Sequence, residues 1–161
     1  MTRASFCSQR ETLTWPSGSG TADAFTIATA HAAEAGWTFF SAGAATGKSV
    51  GIVGGGPAGL ACAHELRRFG HAVTIYEKRA LLGGLNTTGI APYKLMANDS
   101  LSEIDRLLAI GGIDVRLGVT VGGADSDVPF TSLRRTHDAV FLGVGLGADT
   151  TLTLPGATLA G

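Results

Sequence analysis

Charge is scarce in this 161-residue chain. Only 16% of its residues are Asp, Glu, Lys or Arg, and the formal net charge is −1. Such a balance leaves no basic footprint for nucleic acid or an anionic membrane surface. Cysteine is scarcer still. Cys7 and Cys62 are the whole complement, too few for a disulfide framework or a four-thiolate iron–sulfur site. That usage points to a reducing, cytoplasmic compartment. No apolar run approaches the roughly 20 residues of a membrane-spanning helix. The opening MTRASFCSQRETLTW lacks the apolar core of a secretory signal. Its Ser/Thr bias with Arg3 and Arg10 is faintly like a transit peptide, but no amphipathic repeat follows. The histidines His31, His64, His71 and His137 show no metal-ligand spacing, so no metal is assigned.

What the chain does have is apolar residues and glycine: 45% hydrophobic, with 24 glycines. This length and composition suit a globular domain of ordinary size. Residues 1–20 show no periodicity and include the linker-like Pro16-Ser17-Gly18-Ser19-Gly20, which predicts a disordered tail. Residues 21–48 read as a short helix, stopped near Gly36, and a glycine-rich connection through SAGAATGK. Regularity begins at Ser49, and residues 49–161 are read as the dinucleotide-binding domain.

Residues 49–54 are a short run with β-branched Val50, Ile52 and Val53, which predicts a buried strand. Leu60, Ala61, Ala63 and Leu66 then recur at helical spacing between Pro57, suited to a first helical turn, and the stop at Gly70. AVTIYE, residues 72–77, predicts a second strand. Strand, helix and strand in about 30 residues make one βαβ unit with parallel strands. Downstream, Ser100 and Glu103 form a capping-box pattern opening a helix that carries Leu101, Ile104, Leu107 and Leu108. Residues 113–123 read as a strand pair or a bent strand, and 138–142 as a further buried strand. The fold class is α/β: a Rossmann-like unit with a parallel sheet, an incomplete doubly wound fold.

The stretch VGIVGGGPAGL, residues 50–60, carries the chemistry. In a G-x-G-x-x-G turn, Gly54 permits the tight strand-to-helix turn. Gly56 lets backbone approach a pyrophosphate, and Gly59 lets helix pack on strand. The helix start then offers N–H donors and a positive dipole end to the anion. Glu77 closes the second strand 23 residues after Gly54, about the offset at which a carboxylate takes ribose hydroxyls. Its charge disfavours a 2′-phosphate there. The turn serves the ADP half common to FAD and NAD, so by itself it leaves both open.

Two further motifs, EKRALLGGLNTTGIAPYKL (77–95) and DAVFLGVGLGA (138–148), resemble the GG doublet and second glycine motif of two-dinucleotide flavoproteins. More narrowly they resemble the small subunit of glutamate synthase and the flavin module of dihydropyrimidine dehydrogenase. The TGK lead-in, residues 46–48, is similar as well, and the resemblance covers residues 22–161. It implies an FAD domain with an inserted NAD(P)H domain, in which reduced nicotinamide passes hydride to FAD and single electrons go on to iron–sulfur clusters. By this resemblance Gly54, Gly56, Pro57, Ala58 and Gly59 face the pyrophosphate of FAD. Glu77 takes the adenosine ribose with Lys78 beside it, and Gly84 and Leu85 line the path toward the flavin. Val121 meets adenine through its backbone, and Gly145 belongs to the glycine motif before the exit strand.

The chain departs from that family pattern in three ways. No second G-x-G-x-x-G follows LPGATLAG, no cysteine cluster precedes Ser49, and residues 1–20 match nothing in the family. The expectation is a fragment that holds most of the adenine-binding half. NAD(P)H as donor and an iron–sulfur or catalytic partner subunit or domain would then belong to the full-length parent. Two other readings stand beside this one. An NAD-binding module of a dehydrogenase leaves the GG doublet unexplained. An interaction protein with the flavoprotein fold and no flavin leaves the intact glycines and Glu77 unexplained.

Overall fold

The computed structural model describes residues 31–32, 34–37 and 40–147. The chain divides into two units, Met1–Trp37 and Thr38–Gly161. In the first, His31, Ala32 and Glu34 are helical, and the His31 ring meets Trp37 edge-on with centroids 6.0 Å apart. The tail expected over 1–20, and most of the helix expected over 22–36, lie outside the described residues.

The second unit is built on a four-stranded parallel sheet. Its elements run β1 (Ser49–Val53), α1 (Pro57–Arg68), β2 (Ala72–Glu77), α2 (Leu85–Thr88) and α3 (Ala97–Leu108). They continue with β3 (Ile113–Leu117), β4 (Val121–Gly122), β5 (Val128–Pro129), α4 (Phe130–Thr136) and β6 (Ala139–Leu142). The strand order is β3-β2-β1-β6, while β4 and β5 form a separate two-stranded ladder. β1 lies at the centre with Ile52 opposite Ile75 on one side and Phe141 on the other.

Alternation along each strand decides which helix covers which residue. Val50, Ile52, Val73 and Ile75 point to one face, where Leu60 and Ala63 of α1 and Ile104 of α3 close over them. Val53 and Tyr76 point to the other and pack with Leu133 of α4, flanked by Val121, Val128 and Val140. A parallel sheet covered on both faces reads as a continuous apolar run, as β1 does. The lead-in is held to this unit too. Gly43 N–H donates to Arg67 O, Thr46 N–H to Gly70 O, and Ala72 N–H to Lys48 O, at 3.0, 3.0 and 2.8 Å.

Gly51 shows how the sheet's second face is shaped. A Cβ there would stand 2.8 Å from Cδ2 of His137. The His137 ring lies against this glycine with Nε2 3.1 Å from the Tyr76 hydroxyl, and burial followed by the Arg116 charge holds its pKa below the ordinary histidine value. Gly51→Ala should push the ring off Tyr76 and cost about 1–3 kcal/mol, as overpacked sites do. Urea denaturation measures this, and an unchanged midpoint would contradict the packing described.

Three local expectations are corrected. Ser100 and Glu103 do not form a capping box: α3 starts at Ala97 behind Met96, and no side chain caps it. Ser100 is buried inside the helix, and its hydroxyl pairs with Thr87 Oγ1 at 3.2 Å. Residues 113–123 hold two strands that do not pair together, because β4 turns away to join β5. Residues 78–98, in which Gly83-Gly84 and Ala91-Pro92 predict an irregular chain, hold one helical turn at Leu85–Thr88 and the start of α3 at Ala97.

Candidate dinucleotide-binding site

β1, α1 and the end of β2 bring the glycine turn and Glu77 together at the carboxyl edge of the sheet, where open α/β folds bind ligands. Gly54 has φ +106°, and a Cβ there would collide with the Gly143 carbonyl oxygen. A Cβ on Gly59 would collide with the Gly54 carbonyl oxygen. These two glycines therefore exist for close backbone approach: one between turn and β6, the other between turn and helix.

Gly56 differs from both. The nearest atom to a Cβ placed there would be Gly84 Cα, 4.0 Å away. Among the described residues, the space in front of the turn is flanked by the GG doublet alone. Leu60 N–H makes the first bond back along the helix, to Gly56 O at 2.9 Å. The amides of Gly56, Ala58 and Gly59 precede it, and helix geometry leaves such groups without intrahelical partners. Pro57 has no N–H to lose and starts the helix at its preferred φ. The first turn holds no acidic side chain, while Arg67 and Arg68 sit in the last, so the helix dipole keeps its positive end uncancelled.

Glu77 is 7% exposed at the last position of β2. Its Oε2 accepts Gly55 N–H at 2.7 Å and its Oε1 accepts Arg79 N–H at 2.8 Å. Each carboxylate oxygen has a further lone-pair direction, so the group can take hydroxyls while holding both loops. Val119 N–H donates to Glu77 O and Gly118 N–H to Arg79 O, at 3.0 and 3.1 Å. The strand that carries Val121 is thereby hooked over the Glu77 end of the sheet.

The doublet turn approaches from the other side. Gly83 and Gly84 have φ +100° and +56°, which L side chains rarely adopt. Gly83 N–H donates to Gly55 O at 2.8 Å. Beside this contact lies a shallow cleft of about 210 Å³ lined by Pro57, Leu60, Gly83, Asn86, Glu103 and Ile104, among others.

Of the residues expected from sequence, Gly54, Gly56, Pro57, Ala58, Gly59, Glu77 and Gly84 gather into one region. Leu85 follows Gly84 with most of its side chain exposed, and Lys78 is exposed next to Glu77. Val121 packs with the Val53, Tyr76 and Leu133 cluster, near the Glu77 end. Gly145, at φ +71°, lies three residues past β6, with no atom of the described residues within 4 Å of a Cβ placed on it. Sequence reasoning did not single out Gly55, Arg79 or Thr88, and it placed Gly143 in the second glycine motif without its contact to Gly54. Gly55 sits in plain view within the glycine triplet, but its partner could be found only from the fold. Cys62 packs against the α1-side core, and burial pushes its thiol pKa up, which suits a core side chain.

The family described as "NAD(P)-binding Rossmann-like domain" matches residues 52–95, the span from mid-β1 through the GG doublet. The glutamate synthase [NADPH] small chain of Mycobacterium tuberculosis is 40% identical over 116 residues, which is 72% of this chain and 23% of that protein. The β subunit of the NADP(+)-dependent formate dehydrogenase of Moorella thermoacetica is 38% identical over 111 residues, 69% of this chain and 15% of its own. Among solved structures, FprA from Mycobacterium tuberculosis superposes with a TM-score of 0.59 at 27% identity, over 70% of this chain and 26% of FprA. The chain thus spans about a quarter or less of the length of these relatives. Over that shared portion it is a Rossmann-like homologue of the glutamate synthase small chain and related NADP-linked oxidoreductases.

Proposed function

We propose that this chain binds the ADP half of FAD and serves an NAD(P)H-dependent oxidoreductase. The carrying observation is the glycine turn: Gly54 and Gly59 are closed by backbone, Gly56 is left open, and the Glu77 carboxylate stands at the neighbouring strand end. In this reading the amides of Gly56, Ala58 and Gly59 hold the pyrophosphate, with Gly84 opposite. Glu77 takes the ribose hydroxyls, Lys78 lies beside it, the 119–121 strand borders adenine, and Leu85 and Gly145 border the path toward the flavin. Bound FAD would supply hydride-accepting chemistry, drawing on NAD(P)H for an iron–sulfur or reductase partner. The protein's own part is to bind and orient. The place of action is the cytoplasm, in keeping with the scarcity of cysteine.

Support for the donor comes from relatives: the glutamate synthase small chain is named for NADPH, and FprA was solved in complex with NADPH. A second reading is favoured by the family description itself, which names NAD(P): the same turn would then hold the adenosine half of a nicotinamide dinucleotide. Titration of the purified chain with FAD, NAD+ and NADP+ separates the two. The FAD reading predicts saturable FAD binding, weaker NAD+ binding and the weakest response to NADP+, whose 2′-phosphate meets the Glu77 charge. Preference for NAD+ over FAD would transfer the site to the second reading.

A further inference from the structure

The residues around the turn are joined in a closed ring of hydrogen bonds. Gly55 N–H donates to Glu77 Oε2 at 2.7 Å, and Gly55 O accepts Gly83 N–H at 2.8 Å. Gly84, the next residue, accepts Thr88 Oγ1–H on its carbonyl oxygen at 2.9 Å. Thr88 Oγ1 in turn accepts Arg79 Nη1–H at 2.7 Å. Arg79 N–H returns the ring to Glu77 Oε1 at 2.8 Å. The donors and acceptors are mutually consistent, since the single Thr88 hydroxyl donates once and accepts once. Three loops are thereby tied together: the glycine turn, the strand end at 77–79 and the doublet turn at 83–88.

Arg79 closes the ring with two different groups, its main-chain N–H on Glu77 and its guanidinium on Thr88. Its main chain holds the carboxylate, and its guanidinium holds the helical turn behind the doublet. Removing the guanidinium leaves Glu77, Gly55 and Gly83 bonded as before but unties the 85–88 turn behind the doublet from the strand end. Gly83 and Gly84 both need left-handed backbone, and glycine loses more conformational freedom on ordering than any other residue. A turn of two such residues therefore depends on being fastened from outside.

We infer that Arg79 is a positioning residue that fastens the GG doublet against the glycine turn through Thr88, presetting the gap between Gly56 and Gly84. The inference rests on the FAD reading for its effect on affinity, but the fastening itself belongs to the free protein. Neither Arg79 nor Thr88 needs to touch the cofactor. The guanidinium is spent on a hydroxyl within the chain, and the cofactor benefits because less ordering remains to be done on binding.

The test uses the full chain with Arg79→Met, which keeps the stem without the donor, Thr88→Val, the double variant, and Arg79→Lys. In the free protein, amide exchange at Gly83 should quicken about tenfold in Arg79→Met, on the scale of one charge-assisted hydrogen bond. Exchange at Ile52 and Ile75 should quicken by no more than that factor, and the thermal midpoint should fall by no more than about 6 °C, because global unfolding breaks the same bond. FAD affinity should fall about tenfold in Arg79→Met and in Thr88→Val, with the double variant no weaker than Thr88→Val. Arg79→Lys, which keeps a cationic donor, should recover part of the loss. Unaltered Gly83 exchange in Arg79→Met would overturn the inference, and so would multiplied losses in the double variant. If the unaltered chain binds no FAD, the proposed function fails alone, and Gly83 exchange still decides whether Arg79 fastens the doublet.

Discussion

Gly59→Ala is expected to weaken dinucleotide binding severely and lower stability, although alanine is the better helix former. Gly59 lies in the first turn of α1, where the swap alone would gain about 1 kcal/mol of propensity. The new methyl, however, falls on the Gly54 carbonyl oxygen and 3.3 Å from Ile52 Cγ2. Neither neighbour can yield: Ile52 is fully buried, and Gly54 is pressed against the Gly143 carbonyl on its other side. Overpacking against fixed backbone costs about 3 kcal/mol, so the clash outweighs the propensity gain. The expected net loss is about 2 kcal/mol, or roughly 8 °C in thermal midpoint for a domain of this size. The larger effect is on binding. Relief of the clash requires the helix start to move off the turn, which takes the Gly56, Ala58 and Gly59 amides out of line. FAD affinity should drop by at least about a hundredfold, as expected when several charge-assisted contacts are lost together. Calorimetric unfolding and FAD titration of the same preparation measure both effects, and a variant that binds as tightly as the parent would contradict the close approach of helix and turn.

Glu77→Gln is expected to weaken both fold and site while nearly preserving shape. The carboxylate accepts two backbone N–H groups, one on each oxygen. An amide offers only one oxygen, so either Gly55 N–H or Arg79 N–H must face an NH2 group. Leaving one such buried donor unpaired costs about 1–3 kcal/mol. On the proposed FAD reading, affinity should fall about tenfold or more, because the ribose hydroxyls would lose a charged acceptor and the loops that flank them would loosen. The same change removes the negative charge that repels a 2′-phosphate, so discrimination between NAD+ and NADP+ should narrow. Denaturation with titration of the three dinucleotides reads all of this. Unchanged stability would mean the carboxylate does not hold the two loops, and an unchanged NAD+/NADP+ ratio would mean it does not face the 2′ position.

The central βαβ unit was legible because three local signals agree there. β-branched residues at Val50, Ile52 and Val53 mark the strand, Pro57 and Gly70 bracket the helix, and AVTIYE alternates. The observed β1, α1 and β2 differ from those expectations by a residue at most. Further along, tertiary contacts take over. Ser100 looks like a helix cap, yet its hydroxyl finds Thr87, and α3 extends back to Ala97. The two-residue β5 and the seven-residue α4 are too short to leave a periodic trace. Phe130 and Leu133 become core residues only because α4 lies against Val53 and Tyr76.

The site divides in the same way. Gly54, Gly56, Gly59 and Glu77 were found from spacing, since a tight turn, an open approach and a strand-end carboxylate have fixed offsets in a βαβ unit. The ring of bonds through Gly55, Gly83, Thr88 and Arg79 could not be found so. The links from Gly83 to Gly55 and from Arg79 to Thr88 join residues whose proximity depends on how the loop after β2 folds back, and spacing carries no trace of them. Gly143 is similar: its carbonyl limits Gly54 only because β6 pairs with β1.

The most direct measurement for the account is the amide spectrum of the 15N-labelled chain recorded with and without FAD. The turn-centred site predicts the largest shifts at the amides of Gly56, Ala58 and Gly59, smaller ones at Glu77 to Arg79 and at Gly83 and Gly84, and none in the 123–127 loop. An FAD-dependent spectrum whose shifts avoid the 54–59 turn, or a spectrum indifferent to saturating FAD, would contradict it.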